Sequence, residues 1–204
     1  MNLDDIDRVL TTTRSVRRRI DFERPLEPDV LEDCIGIATQ APTGIIGENW
    51  RFLVVTEADK KQALAEIYRR ALGIFEQRRG EPSKSTQRAL ADRLHEMPAL
   101  ILVCAEGRPL GDSAPLQVAF YGSILPAAWS LMLALRSRGI GSTWTTLHLL
   151  HEDEAAAALG IPEGVTQTVL LPVGYTKNAV LRPAERKPPR DVTFWNSWGS
   201  LRQD

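Results

Sequence analysis

"SILPAAWSLMLALRSRGIGSTWTTL", residues 123–147, decides what kind of fold this chain can adopt. Its apolar half continues a helix expected over residues 118–138, which Gly139 closes as a natural C′ glycine. "GSTWTT" (141–146) then reads as a short strand. The "GIGSTW" at that junction begins like G-x-G-x-x-G but ends in Trp144. It also leaves a helix and enters a strand, the reverse of the order that cradles a dinucleotide pyrophosphate. That excludes a Rossmann site here. The greasiest run, "SILPAAWSLMLAL", falls short of the roughly 18 residues a membrane span needs and contains Pro126. A buried helix is expected, not a span.

Upstream, Leu3, Ile6, Val9 and Leu10 recur at helical spacing, so residues 2–12 read as an amphipathic helix. A second helix starts near Pro28, which suits a first helical turn, and carries Val30, Leu31, Cys34, Ile35 and Ala38. "APTGIIG" (41–47) breaks the pattern, and "RFLVVT" (51–56) is a β-branched strand. Leu64, Ile67, Tyr68, Ala71, Leu72 and Phe75 mark the next helix. Residues 76–96 are mostly polar and helical only in their second half. "ALILVCA" (99–105) reads as a buried strand, "EDEAAAALG" (152–160) as a helix closed by Gly160, and "TQTVLLPVGY" (166–175) as the last strand. After Tyr175 come Pro183, Pro188 and Pro189 with little periodicity, which favours extended chain. Phe194, Trp195 and Trp198 are too apolar for a solvated tail, so an extended arm laid on another surface, such as a second subunit, is expected.

The 204 residues suit one domain with an added arm. The 25 Lys and Arg are balanced by 26 Asp and Glu, so the broad positive field of a nucleic-acid binder is missing. Cys34 and Cys104 stand alone in apolar runs without CxxC spacing, which points to buried free thiols in a reducing cytoplasm. "MNLDDIDRVL" has no basic start followed by an apolar run, so no signal peptide is read. His148 and His151, three apart, could supply two metal ligands, but zinc needs three or four and none is suggested nearby. No metal is expected, and the pair reads as a surface helix start.

Two basic clusters remain: "TRSVRRRID" (13–21), with Arg14, Arg17, Arg18 and Arg19, and a second with Arg182, Arg186, Lys187 and Arg190. Each alone reads as a solvated face. Arginine forks nevertheless match a phosphate bidentately, and Ser15 adds a hydroxyl donor. One phosphate gripped from both ends of the chain would account for both clusters.

The order "TRSVRRR", "ATQAPTGIIGENWRFLVV", "SILPAAWSLMLALRSRGIGSTWTTL", "LLPVGY", "RPAERKPP" resembles the FMN-dependent nitroreductase family over nearly the whole chain, least between residues 71 and 98. The resemblance implies an α+β fold with a central mixed, largely antiparallel sheet flanked by helices. Residues 1–175 would form the FMN-binding domain and 176–204 an extended C-terminal arm packing on a homodimer partner. It also implies FMN at the subunit interface, NADH or NADPH as electron donor, and ping-pong hydride transfer through flavin N5 to nitroaromatic, quinone or related acceptors. The implied partners are a second copy and a small-molecule acceptor, with no nucleic acid and no membrane.

Residue by residue, Arg14 and Ser15 match the family's phosphate ligands, and Arg17 the group beside the flavin pyrimidine near N1 and O2. A fixed cation there favours reduced flavin. Arg186 matches the C-terminal phosphate arginine, with Lys187 a neighbouring candidate. Backbone donors of Thr145 or Thr146 would face N5, and Pro126 matches a proline packed on the ring. No catalytic acid or base is implied. Three positions depart from the pattern, and of these Ile46 stands where members often carry a flavin-binding asparagine and Asn49 replaces the proline before Trp50. Either backbone groups of "TGIIGEN" or Asn49 itself would then make that contact. Thr13 stands where many members have another arginine. Two alternatives share the resemblance: the oxygen-dependent enzyme that cleaves its own FMN to dimethylbenzimidazole, and a non-catalytic FMN-binding or storage protein.

Overall fold

The computed structural model describes residues 2–44 and 47–202. Its centre is strand β2 (Ala99–Glu106), seven of whose eight residues are buried. Alternate side chains of a strand point to opposite faces. Ala99, Ile101, Val103 and Ala105 therefore enter one core with helices α2 (Pro28–Ala38) and α6 (Leu125–Ser137). Leu100, Leu102 and Cys104 enter a second core with α3 (Ala58–Arg79) and α4 (Ser85–Arg93). The unbroken apolar run of β2 follows from helices covering both faces of the sheet. The result is an α+β protein of three layers.

β1 (Trp50–Val55), β3 (Ile140–Ser142) and β4 (Val165–Tyr175) complete a four-stranded sheet in the order β1-β2-β4-β3, every named pair antiparallel. Among the described residues, parallel pairing survives only as isolated bridges, Ser15 to Ser142 and Gly107 to Val165. Between Val103 and Cys104 the register on β4 skips Thr168, a β-bulge. The Thr168 hydroxyl donates to Val103 O at 2.6 Å, which occupies a carbonyl that the bulge would otherwise strand. α1 (Leu3–Thr12) opens the chain, α7 (Glu152–Leu159) precedes β4, and Gly160 closes α7 in the left-handed region as expected.

Several expectations are corrected. The single helix over 118–138 is two, α5 (Ala114–Gly122) and α6, and it starts earlier. Pro126 explains the break: its ring excludes the carbonyl four residues back, which is that of Gly122, the last residue of α5. The length argument against a membrane span also fails, because Ala114–Ser137 is long and apolar enough for one. Packing argues against it instead, since Ala128, Leu131 and Leu135 of α6 are fully buried against α2 and the sheet. Of "GSTWTT", only the first two residues lie in β3; Thr145 makes an isolated antiparallel bridge to Leu170. Residues 76–96 are helical in their second half, as expected, but their first residues also belong to a helix, because α3 runs to Arg79, and Leu90, Ala91 and Leu94 are core. His148 is no surface residue either: it is fully buried in a 3₁₀ turn, Leu147–His151. Cys34 and Cys104 are buried free thiols, as expected.

Residues 176–202 carry no regular element beyond a 3₁₀ turn at Pro189–Asp191, and Trp198 is 93% exposed. The apolar face of α1 is likewise uncovered, with Leu3, Ile6 and Leu10 all exposed.

Candidate functional site

The arginine run is held by the sheet edge. Val16 N–H donates to Ser142 O at 2.9 Å, and Thr143 Oγ1 donates to Val16 O at 2.8 Å. Further on, Asp21 N–H donates to Tyr175 O and Lys177 N–H to Arg19 O. Both ends of the segment 16–21 are thus stitched to β3, β4 and the start of the arm.

Two glycines make room for it. Gly141 of β3 faces Gly174 of β4 across the ladder. A Cβ on Gly174 would lie 2.6 Å from Ile20 Cγ2 and 3.0 Å from the Pro98 ring. One on Gly141 would lie 3.0 Å from Val16 Cβ. Val16 and Ile20 sit down on this glycine seat and are buried, which leaves Arg17, Arg18 and Arg19 to project outward.

Two of the cavities that border the run share Arg17 and Trp144. One, of about 460 Å³, is lined by Arg14, Ser15, Arg17 and Arg186 together with Trp129, Met132 and Trp144. The other, of about 220 Å³, is also lined by Tyr68, Phe75, Gln87, Thr145 and Thr146. Together they form a groove with three arginines at one end and aromatic side chains at the other. Neither cavity is lined by an acidic side chain among the described residues. Among the described residues, Arg14, Arg17 and Arg186 have no carboxylate within ion-pair distance. Burial lowers the Arg17 pKa from its usual value, a small opposing effect coming from Tyr68. An uncompensated, half-buried guanidinium is costly, and an anion in the groove would relieve that cost.

The groove thus unites Arg14, Ser15, Arg17 and Arg186 at one end and Thr145 and Thr146 at the other. Lys187, Asn49 and Pro126 line neither cavity. The Asn49 side chain instead donates to Glu106 O at 2.9 Å, between β1 and the end of β2. Pro126 is committed to the first turn of α6. Ile46 lies outside the described residues. The two threonines differ: Thr145 N–H and O both bond Leu170, at 3.1 and 2.9 Å. Thr146 N–H has no acceptor among the described residues, so of the two it is the available backbone donor.

Tyr68, Phe75, Gln87, Trp129 and Trp144 were not legible as site residues. Tyr68 looks like one more apolar position on α3, yet its buried hydroxyl shares a 3.1 Å hydrogen bond with Thr145 Oγ1. Burial raises its pKa, an effect partly offset by Thr145 and Arg17. The one signal was chemical: a phenol in a core stripe needs a polar partner. His148, beneath the aromatic end, has neither ring nitrogen paired among the described residues, and burial pulls its pKa down to about 4. It is neutral at neutral pH. Among the described residues no cluster of His, Cys, Asp or Glu could hold a metal.

Fold and groove together define an α+β protein with an arginine-lined cleft on one edge of an antiparallel sheet. A model of the Nitroreductase family matches residues 10–175, and the chain belongs to that family. It is similar to iodotyrosine deiodinase of Thermotoga neapolitana, 31% identical over 190 residues, covering 90% of this chain and 93% of that protein. Iodotyrosine deiodinase 1 of Mus musculus is 30% identical over 196 residues, covering 92% of this chain but only 68% of the mouse protein. In structure the chain resembles an iodotyrosine deiodinase solved with FMN and 3-iodo-L-tyrosine, with a TM-score of 0.69 at 23% identity, covering 96% of this chain and 99% of that one.

Proposed function

We propose that the protein is an FMN-dependent oxidoreductase that takes electrons from NADH or NADPH and passes them to a nitroaromatic, quinone or related small acceptor. The observation that carries this reading is the meeting of Arg14, Ser15 and Arg186, from opposite ends of the chain, in one cavity that no carboxylate lines among the described residues. That donor set fits a phosphate monoester, since guanidinium forks bind its oxygens bidentately. FMN, when bound, supplies reversible two-electron hydride chemistry.

The chain's own residues divide the remaining work. Arg14, Ser15 and Arg186 hold the phosphate. Arg17, where the two cavities meet, stabilises negative charge on a ring in the second cavity. Thr146 N–H is the free backbone donor there, and Tyr68, anchored on Thr145, with Trp144 forms a wall that keeps water out. A homodimer completes the reading: the exposed faces of Leu3, Ile6 and Leu10 and of Trp129 would be covered by a second copy, with the arm beyond residue 175 crossing to it.

A purified yellow protein whose heat-released flavin runs as FMN, and whose colour bleaches anaerobically with a nicotinamide nucleotide, is the expected result. FAD, or no flavin after reconstitution, would overturn it. A monomer in light scattering that still retains FMN would count against the dimer.

A second reading has its own support in the 31% identity to a Thermotoga neapolitana iodotyrosine deiodinase over nearly both full lengths. On that reading the acceptor is a halogenated aromatic, which takes up two electrons and a proton and releases halide. Iodide release from 3-iodotyrosine or 2-iodophenol by the reduced protein separates the two acceptor classes.

A further inference from the structure

Arg18 and Arg19 line neither cavity of the groove just described, yet they line a third together with Ser15, Val16 and Arg17. Of about 420 Å³, it lies between the arginine run, the first turn of α4 and the start of the arm. Arg17, Arg18, Arg19 and Thr86 give it polar walls, while Val180 and Leu181 give it an apolar one. Among the described residues, no acidic one lines it.

Three features show how the site is built. Arg18 is tied across the fold, its Nη2 donating to Ser85 Oγ at 2.6 Å, so its guanidinium is held at the start of α4. The arm is zipped to the run by the Ile20–Thr176 bridge and by Lys177 N–H donating to Arg19 O at 2.9 Å. Asn178 then takes a left-handed turn, with φ at 52°, a conformation that asparagine tolerates better than most residues. Ala179, Val180 and Leu181 follow that turn and form the cavity's other wall. The nearby Lys177 is already paired with Asp21 at 3.8 Å, whereas among the described residues Arg18 and Arg19 have no carboxylate partner. A solvated charge run would need neither the cross-fold tie nor an apolar wall.

We infer that this cavity receives the 2′-phosphate and adjoining ribose–adenine portion of NADPH, and that it makes NADPH the preferred electron donor. The inference rests on the proposed function for its donor. Arginine forks and the Thr86 hydroxyl suit a phosphate monoester dianion, and the Val180–Leu181 wall suits the face of a base. Arg17 borders this cavity and both cavities of the groove, so a dinucleotide seated here would extend toward the groove without passing through the core.

The test uses FMN-loaded protein titrated calorimetrically with 2′,5′-ADP, 5′-AMP and inorganic phosphate. 2′,5′-ADP should bind at least about tenfold more tightly than either other ligand, the scale of one charge-assisted phosphate contact. Arg18→Gln and Arg19→Gln should each erase about tenfold of that affinity and lower the NADPH-to-NADH ratio of kcat/KM in parallel. Flavin content should not change, which also reports that the variants fold. Thr86→Val should have a smaller effect in the same direction. Equal binding of 2′,5′-ADP and 5′-AMP would overturn the inference, as would inorganic phosphate matching 2′,5′-ADP, or variants that bind normally. Bound FMN that neither nucleotide reduces would count against the proposed function, while the 2′,5′-ADP titration still decides the site.

Discussion

The two ends of the groove are built in different ways. At the arginine end, position is set by backbone: Val16 and Asp21 bond to the sheet edge, and Gly141 and Gly174 let the segment lie flat on it. At the aromatic end, Thr145 is also held by backbone, but the facing wall is set by side chains on helices α3 and α4, with Phe75 and Gln87 reaching the cavity from separate elements. The turn between those helices is clasped by Glu76, whose Oε1 accepts from Ser83 N–H at 2.8 Å and from Arg88 Nε at 3.1 Å. These bonds, the Ser83 one first, lower the Glu76 pKa. A backbone-built end can hold one ligand in one place. A side-chain-built end can change what it accepts without disturbing the first, in keeping with the common division between rigid scaffold and variable specificity elements.

The largest effect is expected from Gly174→Ala. Its Cβ would meet the Ile20 side chain and the rigid Pro98 ring, so the whole segment 16–21 must lift. Overpacking of this kind costs about 1–3 kcal/mol of stability. Flavin retention should fall further than for loss of any one arginine, because all of them move together. Denaturant titration and flavin content check both parts; a variant that binds FMN normally would break the contrast between the two ends.

Acid should weaken the fold beneath the aromatic end next. His148 titrates near 4 in the folded protein against about 6.5 when unfolded, so between those values only the unfolded chain binds the proton. Stability is therefore full above pH 6.5 and falls by about 3 kcal/mol as pH drops toward 4. His148→Leu should flatten that part of the curve, measured as denaturation midpoint against pH. An unchanged slope would show that other groups govern acid sensitivity.

Arg14→Ala and Arg186→Ala should each weaken FMN by about 1.5–3 kcal/mol, or tenfold or more in Kd, while Arg18→Ala and Arg19→Ala leave it nearly unchanged. Equal small losses at all four positions would reduce the arginine end to a solvated face. Lys187→Ala should also matter little, since Lys187 lines neither cavity of the groove. The smallest effect on the cofactor is expected from Phe75→Leu and Gln87→Ala, which should shift acceptor preference several-fold while FMN affinity holds. Kinetics over a panel of nitroaromatic, quinone and iodinated acceptors would sharpen the comparison, and invariance across the panel would undo it.

Sequence by itself determined most of the architecture, because its signals are local. Periodicity marked α1, α2 and the start of α3, the continuous run 99–105 marked β2, and glycines 139 and 160 marked turns with positive φ. The family resemblance named Arg14, Ser15, Arg17 and Arg186, and the fold brings these four to one cavity. Contacts between distant residues were not legible. Pro126 could sit inside a long helix or start a new one, and the fold shows that it starts one, α6, after α5 ends at Gly122. His148 follows a polar-looking "TTL" and precedes acidic residues, so nothing local announced its burial. Gly141 and Gly174 look like ordinary strand glycines until their pairing places both under Val16 and Ile20. Tyr68 became a site residue only because α3 packs its hydroxyl onto Thr145, 77 positions away. Helix and strand propensity is read within a few residues, whereas burial, glycine seats and shared cavities depend on which surfaces the folded chain brings together. Tertiary structure alone settled that.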